Sequence, residues 1–174
     1  MMIDAFKDIV IPLINEGRAV PVNFVWGDSS YIRDYLIKMK TSSSTAPYRF
    51  PLVGLYSPFS EIRDSEDYRC KATLNFILAV NTLPGYSNEQ RHEISFKSVL
   101  RPLYADFMKA LKDSRLFEAG YDESLPHSYT ENYSFGVRGA LDVDGKEMDE
   151  KIDAIEIKNL ELILKNLNCY ANRL

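Results

Sequence analysis

The feature that most constrains this chain is the run Asp67–Asn81, DYRCKATLNFILAVN. Tyr68, Cys70, Ala72, Leu74, Phe76, Leu78 and Val80 occupy alternate positions. Arg69, Lys71, Thr73, Asn75 and Asn81 occupy positions between them, with Ile77 and Ala79 as two apolar exceptions. Successive side chains of a strand point to opposite faces. A period of two sustained this far therefore predicts one long strand, Tyr68–Val80, lining a core on one side.

The neighbouring segments supply what such a strand must pack against. Ile3, Phe6, Ile9, Val10, Leu13 and Ile14 recur at three and four residues. They predict an amphipathic helix that Gly17 ends and Pro12 kinks. Val20–Trp26 reads as a short strand, broken by Gly27-Asp28-Ser29-Ser30, which also offers helix caps. Tyr31, Ile32, Tyr35, Leu36 and Met39 mark a second helix, and the small polar run Thr41–Ala46 a loop. Tyr48–Tyr56 is an extended apolar segment and the expected antiparallel partner of the long strand. Glu61–Asp67 is a charged connection with a weak helical pattern.

After the turn Leu83-Pro84-Gly85, the longest helix is expected over Ser87–Ser114. Ile94, Val99, Leu103, Phe107 and Leu111 run down one side, with Phe96, Leu100, Tyr104 and Met108 beside them. Pro102 predicts a kink or a helix start near Arg101. Leu116–Asn132 reads as loop and Tyr133–Val143 as extended, with a hairpin turn at Asp144-Gly145. Ile152 to Leu164 forms a final strand with a phase slip at Lys158-Asn159, the mark of a bulge.

These elements predict an α+β fold: a mixed or antiparallel sheet with the long helix and the shorter helices packed on one face. With 174 residues, a single domain over 1–174 is expected, large enough to fold without metal or disulfide. The net charge of −4 argues against affinity built on phosphate neutralisation. Cys70 and Cys169 are the only cysteines, too few for a secreted disulfide framework, so a reducing cytoplasm is the expected setting. Asp4, Lys7 and Asp8 interrupt the first apolar run, which does not read as a signal peptide. No apolar stretch has the length of a membrane span.

No segment carries a catalytic or cofactor signature: there is no glycine-rich phosphate loop and no nucleophile elbow. His92 and His127 lack an accompanying nucleophile and read as a solvated turn and a loop residue. Cys70, Cys169, His92 and His127 show no zinc-ligand spacing. Asp142, Asp144, Glu147, Asp149 and Glu150 surround Gly145, but Lys146 breaks the calcium-loop pattern, and a solvated acidic hairpin accounts for them. Glu61, Asp64, Glu66 and Asp67 lie in a polar connection with nothing to desolvate them. No metal or organic cofactor is therefore expected. Tyr121, Tyr129, Tyr133 and Phe135, with Arg138 beside them, gather in one non-helical region. Such a cluster serves either as a satellite of the core or as an anchor for another protein.

The element order, from first helix to final strand, resembles that of the phage tail-terminator proteins of prophage type, also called tail-completion or head–tail joining proteins. The similar segments are Arg49–Tyr56 (RFPLVGLY), the strand through Leu78–Thr82, the helix segment Ser98–Tyr104 (SVLRPLY) with Phe107, and the ending Asp153–Leu162 (DAIEIKNLEL) with Cys169. The likeness spans residues 1–169 and rests on structural motifs. It implies a structural protein rather than an enzyme. Its subunits would assemble as a ring, commonly hexameric, that caps the tail tube and meets the head connector. The ring would form in the host cytoplasm and end in the virion tail, with no nucleic-acid specificity and no membrane partner. Contacts are expected from the loop Thr41–Tyr48 and the aromatic segment Tyr121–Arg138, with Tyr48, Tyr121, Tyr129, Tyr133, Phe135 and Arg138 as interface residues. The alternative from a different class is a small hydrolase or ligand-binding domain with a site of scattered residues. A closed pocket holding a perturbed carboxylate or His92 would favour it.

Overall fold

Six strands form one mixed sheet in the computed structural model, which describes residues 2–63, 69–118, 124–135 and 151–165, with only the backbone described at 134–135. The strands are β1 (Asn23–Gly27), β2 (Leu52–Tyr56), β3 (Glu61–Arg63), β4 (Arg69–Thr82), β5 (Ser128–Phe135) and β6 (Lys151–Lys165). Their order is β1-β2-β4-β6-β5, with β3 also paired to β4. β1 and β2 are parallel and every other pair is antiparallel. A parallel pair needs a crossover, and helix α2 (Ser29–Thr41) lies within it. Helices α1 (2–15) and α3 (88–113) complete the α+β fold.

β4 behaves as its alternation predicts. Cys70, Ala72, Leu74, Phe76, Leu78 and Val80 are all buried on one face; Tyr68 lies outside the described residues. Phe76 sits between Phe6 of α1 and Phe107 of α3, at ring-centroid distances of 4.8 and 5.1 Å. These rings tie the sheet to both helices, and each fully buried Phe contributes on the order of 1.5–3 kcal/mol.

The two apolar exceptions build a second layer. Ile77 and Ala79 join Val25, Leu52, Ile152 and Ala154 beneath Ile32 and Leu36 of α2. The helices therefore cover both faces of the sheet rather than one. Apolar residues in the polar register of a strand need cover of their own, and α2 provides it. The approach is close: a Cβ on Gly54 would lie 2.7 Å from Cγ2 of Ile77 and 3.4 Å from Cδ1 of Ile32.

Both prolines inside helices follow a π-helical segment, Phe6–Val10 in α1 and His92–Leu100 in α3. The Ile11 N–H bonds to the Phe6 carbonyl and the Arg101 N–H to the Phe96 carbonyl, each five residues back. Pro12 and Pro102 come next. In a regular helix each ring would press on the carbonyl four residues earlier, and the wider turn accommodates it. α3 is thus continuous across Pro102. The wide turn also rotates the buried stripe. Ser95 and Phe96 point inward while Ile94, expected on the apolar side, is 47% exposed.

The ends follow local chemistry. Ser87 and Gln90 form a reciprocal capping box at the start of α3. The Asp28 side chain accepts the Tyr31 N–H at 2.7 Å to start α2. Gly17, at φ +74°, follows α1.

Several boundaries differ from the sequence expectation, and the strand expected from Val20 begins only at Asn23. The segment expected to be extended from Tyr48 begins with a 3₁₀ turn, Ala46–Tyr48, and becomes strand only at Leu52. Glu61–Arg63 is a strand, because backbone pairing with Ala72, Lys71 and Cys70 at the edge of β4 overrides its weak helical pattern. β5 starts at Ser128, inside the region expected to be loop, because its polar residues pair with β6. The Asp144-Gly145 turn lies outside the described residues.

Candidate functional site

The richest set of polar and aromatic side chains lies on the seam where α3 meets β5 and β6. Tyr129, Glu131 and Tyr133 occupy alternate positions of β5, so all three turn toward α3. A bulge adjusts the last of them. Asn132 pairs with Ala154 and Phe135 with Ile152, so Tyr133 and Ser134 together face Asp153. The Tyr133 ring packs against Phe96 at a tilt of 33°, with ring centroids 4.2 Å apart, and its hydroxyl is 3.0 Å from Nδ1 of His92.

Beneath Tyr133 lies a buried ion pair. Arg91, in the first turn of α3, is 4% exposed and Asp153 of β6 is 0% exposed. The guanidinium donates to both carboxylate oxygens, one bond measuring 3.3 Å from Nε to Oδ2. It also lies 5.8 Å from the centroid of the Tyr133 ring. Such a pair adds little net stability over an apolar replacement, but losing one partner strands a buried charge.

The seam continues along β5. Arg101 Nε donates to Glu131 at 2.7 Å, and Tyr104 makes an edge contact with Tyr129 at 4.9 Å. His127 bridges its own loop and α3. Its Nδ1–H donates to the Leu125 carbonyl at 2.6 Å, which leaves Nε2, 2.8 Å from the Tyr104 hydroxyl, as acceptor in the neutral ring. The electrostatics keep Glu131 and the tyrosines of the seam in their ordinary forms. The hydrogen bond from Arg101 holds the Glu131 carboxyl below the usual carboxylate value. Burial pushes Tyr129 up to about 12, with the Glu131 carboxylate adding to the effect, and burial also raises Tyr104 and Tyr133. The phenols are therefore hydrogen-bonding groups near neutral pH.

His92 lines a hollow of about 390 Å³ with Asn88, Glu89, Glu93 and Tyr133. Glu89 is held below the usual carboxylate value by its own backbone N–H and by Ser87, and Glu93 by the hydrogen bond from Lys97. Neither is raised toward neutrality, the condition a carboxylic general acid needs. Both sit on an open surface rather than in a closed pocket.

Other candidates separate in space. Cys70 is buried on β4, where burial, with Glu61 nearby, pushes its thiol up to about 11. Glu61 accepts the Met2 N–H at 3.0 Å and Arg63 Nη2 at 2.6 Å, a structural clasp between β3 and α1. Among the described residues no three His, Cys, Asp or Glu side chains converge as a metal site. Cys169, Asp64, Glu66, Asp67 and the acidic set around Gly145 lie outside those residues.

The expected interface residues fall into two groups. Tyr48, 58% exposed, sits in the turn whose following residue Arg49 offers its carbonyl to the Asn23 amide at the start of β1. Tyr129, 40% exposed, and the half-buried Tyr133 lie on β5, the opposite margin of the sheet. Tyr121, Arg138 and the Phe135 side chain are outside the described residues. Tyr133 is largely engaged with α3 and packs on the core as a satellite, while Tyr129 keeps an exposed face.

Two features go beyond the sequence expectations. Arg91 belongs to a stretch that reads as a solvated turn, yet it faces inward with Ser95. Asp153 falls in the same alternate row as the buried Ile155 and Ile157, so the period of β6 does mark it as an interior carboxylate. The second feature is an apolar patch at β1. Trp26 is 39% exposed, with its ring 5.7 Å from that of Phe24. Among the described residues, the outer edges of β1 and β5 have no strand partner.

Neither protein-family models nor curated proteins give a match to this chain. Among the described residues no helix is long and apolar enough to cross a membrane.

Proposed function

We propose that this chain is a structural subunit of a phage or prophage tail, assembling as a ring that terminates the tail tube and joins it to the head connector. The observation that carries the reading is the placement of two dissimilar edges, each without a strand partner among the described residues, at opposite margins of one sheet. β1, with the exposed Trp26, lies at one margin, and β5, with Tyr129, at the other. A ring is built by heterologous contacts, in which one surface of a subunit meets a different surface of the next. Tyrosine and tryptophan are favoured at the centres of such contacts. Strand edges that avoid association usually carry lysine, proline or inward charge. β1 (NFVWG) has none of these, while β5 carries a single inward charge, Glu131, neutralised by Arg101. The work of the subunit is accordingly mechanical, done in the host cytoplasm during assembly and then in the virion tail.

The test is negative-stain microscopy of the purified protein mixed with tail tubes encoded beside it. Rings seated on tube ends are expected. Tubes with bare ends, together with a protein that forms no ring, would overturn the assignment and favour a small hydrolase or ligand-binding domain.

A further inference from the structure

We draw no further inference here: the strongest candidate, the open cleft along α2 lined by Tyr31, Tyr35, Lys38 and Met39, carries no proposal because nothing in the structure shows what covers it.

Discussion

The backbone N–H of Asn159 donates a 2.9 Å hydrogen bond to Oδ1 of Asn75, at the point where the β4–β6 ladder shifts register. Leu74 pairs with Leu160 and Phe76 with Ile157, so Lys158 and Asn159 together face the single residue Asn75. Asn159 takes the extra residue in a left-handed conformation, at φ +58°. The bulge keeps Leu160, Leu162 and Leu164 in the same buried layer as Ile155 and Ile157. Asn159→Ala should cost about 1–2 kcal/mol, because alanine tolerates this backbone poorly, while Asn159→Gly should be close to neutral. Asn75→Ala should cost about 0.5–1.5 kcal/mol, the worth of one hydrogen bond. Urea denaturation measures all three. Equal stability of the alanine and glycine variants at 159 would contradict the bulge.

Arg91 and Asp153 make a second, sharper prediction. Asp153→Ala leaves a guanidinium buried without its partner and should cost about 3–5 kcal/mol. Replacing both, as Arg91→Met with Asp153→Leu, should recover most of that loss, since no charge remains stranded. A double variant as unstable as the single one would show that the pair itself, rather than the stranded charge, dominates.

Much of this architecture is legible in the sequence, and the misses share causes. β4 declares itself because its period matches strand geometry. The bulge at Lys158-Asn159 does so because one inserted residue is what shifts a strand's alternation from one face to the other. Ile77 and Ala79 stand out as exceptions, but only α2 folding across the sheet gives them meaning. Periodicity within a strand says nothing of which distant element covers it. Ile94 is misplaced by a fixed 3.6-residue repeat, which cannot anticipate the π-helical turn before Pro102. β3 and β5 are short or polar, and their pairing partners rather than their composition make them strands. At the candidate site, Tyr129 and Tyr133 are visible as aromatics, but their engagement with Tyr104, Phe96 and His92 is tertiary.

The second layer is tested at Gly54. A methyl group there would press on Cγ2 of Ile77, which is anchored at its branch point and has little room to turn. Gly54→Ala should destabilise by about 1–3 kcal/mol through overpacking. A thermal melt unchanged by this substitution would mean that Ile77 does not lie over Gly54 as described.

Acid should weaken the fold through its clasped carboxylates. The hydrogen bond from Arg101 holds Glu131 below its ordinary value of 4.5. Burial opposes ionisation of Glu61, and hydrogen bonds from Arg63 and the Met2 amide outweigh it. A carboxyl with a depressed folded pKa binds its proton more readily in the unfolded chain. Its contribution is therefore fully present above the unfolded value and lost as pH falls through the folded one. Glu131→Gln should lower stability at pH 7 and flatten the loss between pH 5 and pH 3, read from urea midpoints across that window. A variant with the same acid slope as the unaltered protein would contradict this.

Assembly through opposite edges is tested most directly by sedimentation velocity on complementary variants. Lysine is an effective edge blocker, so Trp26→Lys closes the β1 margin and Tyr129→Lys the β5 margin. Melting curves first establish that each variant remains folded. The unaltered protein should sediment as a closed ring, and each variant alone as a monomer. Mixed in equal amounts, the two variants should form one-to-one dimers, because one intact β5 edge then meets one intact β1 edge. A protein that stays monomeric at every concentration, alone and mixed with tail tubes, would contradict the ring, as would an unaltered ring whose two variants, once mixed, never pass beyond the monomer.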